Sequence, residues 1–411
     1  MIKRLARWAH RIYQRDSQSK DDGRIFLDEG KTLERLLIHA YQHVPYYRKV
    51  FDKIELMAQG KPDLSRFNQI PLLTKKDIRD NYDLLVSNDL PSRAGRLNTS
   101  GGSTGEPVQL VQCAQYRQYR RLTQKYYYKE FLMIDEDDVR KVVLWGSEKD
   151  IFKEKRNLKT KLKNWMTNTI FLNSFKMADA DMRRYVEIIN AYKPVLLRGY
   201  AGSLYQISCF IKKHCLNVYT PKYILSSAET LREDMRSTIE SVWKAKVYDY
   251  YGSREVNGLA GECRYGKMHI FSFWNHIEVL NEHHNPVPPG EPGRVIVTNL
   301  YNYSMPLIRY EIGDMAVRGF SSCCCGQKLP ILKRITGRTT DHFSKRDHTL
   351  IHGEFFTHLF YGKSWVQKFQ VVQEDYDRIV IKIVSPDGIP SLDRQDIEAK
   401  IRIVMGDDCR V

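Results

Sequence analysis

From about residue 70 onward, short apolar runs of strand character alternate with stretches of helical periodicity, which confines the chain to the α/β architectures. Val142-Val-Leu-Trp145 reads as a buried strand. Residues 181–192 read as a helix that ends ahead of Pro194, because the residue before a proline is pushed out of helical geometry. Val195-Leu-Leu197 follows as a strand, then a helix over 203–215, a strand at Tyr223-Ile-Leu225, a helix over 231–243 and a strand at Val247-Tyr-Asp-Tyr250. Later strands are expected at Val295-Ile-Val-Thr298 and Ile379-Val-Ile-Lys-Ile-Val384, the second alternating more regularly. No internal repeat or low-complexity segment interrupts this order. A large domain is expected over 1–337, and a linker near 337–341 leads to a small α+β domain over 338–411.

The chain has 411 residues, 42% of them apolar, which is enough for a packed core in each domain. No run of about 18 consecutive apolar residues exists, so no spanning helix is expected. The N-terminus lacks the apolar segment of a secretory signal, and the expected location is the cytoplasm. Residues 2–13 read as a basic amphipathic helix, with Leu5, Trp8, Ala9, Ile12 and Tyr13 on one face; docking on the body and peripheral contact with a membrane surface both suit it. Lys149 to Lys163 is a second basic stretch, read as a solvated segment. The net charge of +16 favours polyanionic partners, whether nucleic acid, an anionic membrane or small molecules such as ATP and coenzyme A. The basic residues are spread along the chain without a nucleic-acid motif, so no nucleic-acid partner is expected.

Leu97-Asn-Thr-Ser-Gly-Gly-Ser-Thr-Gly-Glu-Pro107 is rich in the residues that cradle phosphate. Gly101, Gly102 and Gly105 allow a tight backbone whose N–H groups converge, and Ser100, Ser103 and Thr104 add hydroxyl donors. It is not the P-loop pattern, since no lysine follows the last glycine. A second cluster pairs Cys263 and His269 in one short block with Cys323-Cys-Cys-Gly326 in another. Three thiolates and one imidazole make a tetrahedral zinc site from Cys263, His269, Cys325 and either Cys323 or Cys324. All four positions would then be filled by protein, which is the pattern of a structural site.

The glycine-rich loop, closed by Gly-x-Pro, resembles the phosphate loop of adenylate-forming enzymes, in particular the phenylacetate–coenzyme A ligase family. Further matches follow in order: Ile70-Pro-Leu-Leu-Thr-Lys-Lys-Asp-Ile78, Leu197-Arg-Gly-Tyr-Ala-Gly-Ser203, Ser226-Ser-Ala-Glu-Thr230, Tyr250-Tyr-Gly-Ser-Arg-Glu255, Pro306-Leu-Ile-Arg-Tyr-Glu-Ile-Gly-Asp314 and Ile335-Thr-Gly-Arg338. Tyr41-Gln-His-Val-Pro-Tyr-Tyr and Ile351-His-Gly-Glu-Phe-Phe-Thr-His-Leu-Phe360 look most like the branch found in capsule and O-antigen biosynthesis. The resemblance implies an α/β fold with a large N-terminal domain of the adenylate-forming type. It also implies a reaction: a carboxylic acid and ATP give acyl-AMP, and the acyl group passes to coenzyme A or to an amine.

In that scheme Glu255 holds Mg²⁺ beside the phosphates, as a hard carboxylate ligand should. Thr104 and its loop neighbours touch phosphate, Ala228 and Glu229 lie on the adenine side, and Tyr250, Tyr251, Gly252 and Ser253 line the nucleotide. Asp314 accepts hydrogen bonds from ribose hydroxyls, and Arg338 reaches phosphate or ribose from the hinge. The resemblance also admits a homodimer and a structural zinc with Cys-x-Cys-Gly in its second block. It further implies a mobile C-terminal domain that supplies a lysine in a Gly-Lys or Lys-x-Arg context. The residues through Gly406-Asp-Asp-Cys-Arg-Val411 offer no such motif, and Lys400, inside an expected helix, is a poor substitute. The small domain is therefore expected to be incomplete, and a catalytically silent scaffold is the rival expectation.

Overall fold

The computed structural model describes residues 28–99, 108–145, 164–174, 177–320 and 322–338, most of 342–386, and 388–411. The amphipathic stretch 2–13, the basic stretch 149–163 and the glycine-rich loop 100–107 lie outside the described residues.

Two helices open the described chain, α1 (Glu29–His43) and α2 (Pro45–Lys53), the second with proline in its first turn where the missing N–H costs nothing. A hairpin of β1 (Arg96–Thr99) and β2 (Gln109–Gln112) precedes α3 (Ala114–Glu130). The expected alternation then appears. Strands β3 (Lys141–Leu144) and β4 (Thr169–Leu172) lead through α4 (Asp179–Tyr192) to β5 (Leu196–Tyr200). From there α5 (Ala201–Lys213), β6 (Tyr223–Ser227), α6 (Glu233–Trp243) and β7 (Val247–Ser253) follow. These strands pair in parallel in the spatial order β4-β3-β5-β6-β7.

From β7 the sheet turns antiparallel through β8 (Asn257–Glu262), β9 (Met268–Ile270) and β13 (Ile331–Arg338). It continues to β12 (Tyr310–Arg318), β11 (Pro292–Asn299) and β10 (Asn275–Leu280), eleven strands among the described residues.

The parallel strands carry apolar residues on both faces, as strands covered on both sides must. Leu197, Ile224 and Val247 face a core with α4, α5 and α6, whereas Leu196, Leu225 and Tyr248 face the other, larger core. Within the first core the Trp243 indole donates to Ser208 Oγ at 2.8 Å, joining α6 to α5.

The chain divides into two compact units, residues 1–312 with 316–335, and residues 313–315 with 336–411. The second contains the hairpin β14 (Lys368–Asp375) and β15 (Arg378–Val384) and the helix α7 (Ser391–Met405). Its core collects Phe356, Phe360, Trp365, Ile379, Ile397 and Ile401, an α+β arrangement. Lys400 lies on α7 as expected, with its ammonium 2.7 Å from Asp396 one turn earlier.

Candidate active site

Glu255 sits in the turn between β7 and β8, and its position is fixed through backbone atoms rather than through its carboxylate. The Glu255 carbonyl accepts from Tyr116 Oη at 3.2 Å and from Gln112 Nε2 at 3.3 Å. The neighbouring Arg254 carbonyl accepts from Asn98 Nδ2 at 3.1 Å. Asn98 and Gln112 belong to β1 and β2, where Thr99 pairs with Gln109 at the base of the glycine-rich loop. Two segments some 150 residues apart in sequence, each expected to carry nucleotide chemistry, are thus fastened together by side-chain amides. Glu255 as a whole residue is 7% exposed, and its carboxylate has no hydrogen bond or ion pair to any described residue. A carboxylate with no protein partner among the described residues is a ready ligand for a cation.

The carboxyl end of β6 carries the Ala228–Glu229 turn. Ala228 takes a positive φ of 71°, a strained choice for a residue with a Cβ and one that clusters at functional sites. Glu229 is exposed, and its carboxylate accepts from the Gly202 N–H at 2.6 Å, an anion at the first turn of α5 where the helix dipole favours it.

On β7 the two tyrosines part company. Tyr251 is half-buried, while Tyr250 is buried against Tyr127 and Phe271, with ring centroids 5.1 and 5.7 Å away. Burial raises the Tyr250 phenol far above its ordinary range, so it stays neutral. Its hydroxyl lies directly over Gly258, where a Cβ would come within 2.0 Å of the oxygen. Gly252 is equally confined, since a Cβ there would meet the Asn257 carbonyl at 2.6 Å. Ser253 Oγ accepts from the Val256 N–H at 3.3 Å and shapes the turn that presents Glu255.

Asp314 is buried on β12 and belongs to the second unit, as does Arg338, which ends β13 and whose side chain is not among those described. Ser100, Gly101, Gly102, Ser103, Thr104 and Gly105 fall on the undescribed loop.

The Cys/His cluster is brought together by strand pairing. Gly261 on β8 pairs with His269 on β9, and His269 in turn pairs with Ile331 on β13, so the loop before β13 returns Cys323 and Cys325 to the β8–β9 turn that holds Cys263. The ligand atoms of Cys263, His269, Cys323 and Cys325 all lie within 4.8 Å of one another. Cys263 Sγ is 3.7 Å from Cys323 Sγ, and Cys325 Sγ is 3.3 Å from His269 Nε2. A tetrahedron with metal–sulfur bonds of about 2.3 Å has edges of about 3.8 Å, so the sulfur pair fits. Cys324 is exposed and outside the group. Burial lowers the His269 pKa and keeps the imidazole neutral, the form that ligates; burial also raises the Cys325 thiol to about 11. Burial raises the Cys263 thiol as well, whereas Cys323, despite its own burial, is drawn below its ordinary range by hydrogen bonds from Cys325 and Cys263.

Sequence reasoning missed Asn98, Gln112 and Tyr116, whose roles are long-range contacts, and Arg198, the one charged residue within the strand β5.

Comparison with known proteins finds relatives along most of the chain. Residues 343–411 match the family described as the CapK C-terminal domain. Protein CapK of Staphylococcus aureus is 25% identical over 381 residues, covering 92% of this chain and 82% of the relative. The phenylacetate–coenzyme A ligase of Thermus thermophilus is 22% identical over 342 residues, covering 80% and 74%. The chain is a homologue of CapK and of the phenylacetate–coenzyme A ligases. Among solved structures, 2-hydroxyisobutyryl-CoA ligase in the postadenylation state superposes with a TM-score of 0.67 at 17% identity, covering 91% of this chain and 82% of that one. The open conformation of the same ligase gives 0.61 at 18% identity, covering 91% and 84%. The fold is that of the adenylate-forming ligases. No helix among the described residues is long and apolar enough to cross a membrane.

Proposed function

We propose that the chain is an adenylate-forming ligase: a carboxylate attacks the α-phosphate of ATP, pyrophosphate leaves, and the acyl-AMP passes its acyl group to coenzyme A or to an amine. The likeness to CapK points this chemistry toward surface-polysaccharide assembly, and a cytoplasmic location suits its co-substrates. The observation that carries the reading is the Glu255 carboxylate, without a hydrogen-bond partner among the described residues, on a turn whose backbone is fastened through Gln112 and Asn98 to the base of the glycine-rich loop.

Mg²⁺ held by Glu255 would neutralise phosphate charge that otherwise repels the incoming carboxylate. Ser100 through Gly105, Thr104 foremost, would donate N–H and O–H groups to the phosphates. Ala228, Glu229, Tyr251, Gly252 and Ser253 would border the nucleotide, with Tyr250 packed beneath them. Asp314 would accept from the ribose, and Arg338 would act from the hinge. In this reading residues 1–337 bind nucleotide and acid, while residues 338–411 form the small domain. Zinc on Cys263, His269, Cys323 and Cys325 would staple the β8–β9 turn to the loop before β13, a structural role.

Acid-dependent exchange of labelled pyrophosphate into ATP is the test, run on full-length protein with a wide panel of acids. Exchange that Glu255→Ala abolishes supports the ligase; no exchange with any acid, and no melting shift with ATP and Mg²⁺, overturns it. Metal analysis after purification should return one zinc per chain, and Cys263→Ala should remove it.

A further inference from the structure

Val195-Leu-Leu-Arg-Gly-Tyr200 is an apolar strand interrupted by a single cation, the middle residue of β5, two residues short of the carboxyl end where ligands of parallel sheets bind. Arg198 faces the same core as Leu196, away from the crossover helices. Aromatic rings border its guanidinium: Trp145 at 5.4 Å and Tyr250 at 5.9 Å from the centroids. Trp145 is itself stacked on Tyr200 at 4.2 Å. One terminal nitrogen donates to Tyr128 Oη at a long 3.4 Å. The Nε is shut off from solvent and has no acceptor among the described residues. The carboxylate whose field reaches Arg198 is Glu136, and it is engaged by Lys141 and Gln124. A guanidinium presents its donors as a planar fork that matches a carboxylate or phosphate, and here the Nε donor of that fork has no acceptor among the described residues.

Building on the ligase reading, we infer that Arg198 determines acid specificity: its Nε edge receives an anionic group of the substrate, so the acid carries a second anion besides the carboxylate that reacts. The body between the two anions is flat or apolar and lies against Trp145 and Tyr250. The reacting carboxylate is the wrong partner for this arginine, because its charge disappears when the mixed anhydride forms. A cation paired with it would stabilise the ground state over the transition state and leave an unpaired guanidinium in the product. An anion that survives the reaction keeps Arg198 satisfied throughout.

The test compares glutarate, adipate and terephthalate with their monomethyl esters in pyrophosphate exchange, using wild type, Arg198→Lys and Arg198→Met. A site built to pair a polar group rejects the analogue lacking it by large factors. Wild type should therefore favour at least one free diacid over its ester by 100-fold or more in kcat/KM. Arg198→Met should erase that preference by lowering the diacid value, while its melting temperature and its shift with ATP and Mg²⁺ stay unchanged. Arg198→Lys, which keeps charge without the fork, should fall between. Equal use of acid and ester by wild type, or discrimination that survives in Arg198→Met, overturns the inference and leaves the ligase reading standing. If no acid supports exchange, melting shifts with the same panel decide: a diacid shift lost in Arg198→Met supports the assignment, and none in wild type rejects it.

Discussion

Arg309 and Glu255 are buried to similar depth, 1% and 7% exposed, yet the chain surrounds them in opposite ways. Arg309 donates through Nε and Nη2 to the two oxygens of Glu278, each at 3.0 Å, and through Nη1 to the carbonyls of Ile70 at 2.7 Å and of Asn68. Its own carbonyl accepts from the Leu73 N–H at 3.0 Å. The guanidinium is a closed knot tying the segment before α3 to the antiparallel half of the sheet. At Glu255 the described residues satisfy the backbone and give the carboxylate no hydrogen bond or ion pair. A buried charge whose partners are all protein serves the fold; one whose partners are missing is kept for something that arrives later.

The first way to break that contrast is at the knot. Glu278→Leu leaves Arg309 buried and unpaired, and should cost about 3–5 kcal/mol in denaturant unfolding. The double variant Glu278→Leu/Arg309→Met should recover much of that loss, since hydrophobic replacements of buried pairs are often tolerated. A cost under about 1 kcal/mol for the single variant would mean the knot is not what separates the two regions.

The second is at Glu255. Glu255→Gln should leave unliganded stability unchanged or slightly raised, because it removes an unpaired charge. It should also remove the gain of about 2.7 kcal/mol that ATP and Mg²⁺ at 100 times their dissociation constant give wild type. Loss of stability without ligand would place Glu255 with Arg309 instead.

A buried titratable group kept neutral sharpens the comparison further. Burial drives His39 down to about 4, while its Nε2 donates to the Tyr303 carbonyl at 2.9 Å. A folded-state pKa below the unfolded value of about 6.5 means folding favours the neutral ring. That contribution is present above about pH 6.5 and is lost as pH falls toward 4, amounting to about 2–3 kcal/mol. His39→Gln should flatten the stability profile across this window; an unchanged slope would assign the acid sensitivity elsewhere. Asp89, held near 2 by Arg93, titrates below it. The smallest effect is expected at the surface: removing the exposed Arg394–Glu398 pair by Arg394→Ala should change stability by less than about 0.5 kcal/mol.

The parallel half of the sheet was legible in the sequence because each of its elements announces itself locally. Pro194 ends α4 at Tyr192, with Lys193 in a left-handed cap, and the runs at 142–145, 195–197 and 223–225 are apolar on both faces. The glycine-rich loop and the Glu255 turn could be recognised by composition and order. What joins them could not, because Asn98 and Gln112 act on carbonyls about 140 to 160 residues away, and nothing local marks an amide for that task. Choosing Cys323 over Cys324 likewise needed the backbone path past Gly326. Arg198 did carry a local signal, a lone cation in an otherwise apolar strand, and that signal was visible from the start.

The 2.0 Å approach of a would-be Cβ at Gly258 to the Tyr250 hydroxyl reaches beyond this one chain. The two positions form one heritable unit. A lineage cannot trade Gly258 for alanine while keeping the tyrosine, nor does shortening the ring come free, since the glycine then lines a void. Drift at this joint must pass through paired changes, so across diverged relatives the two columns should vary together or not at all.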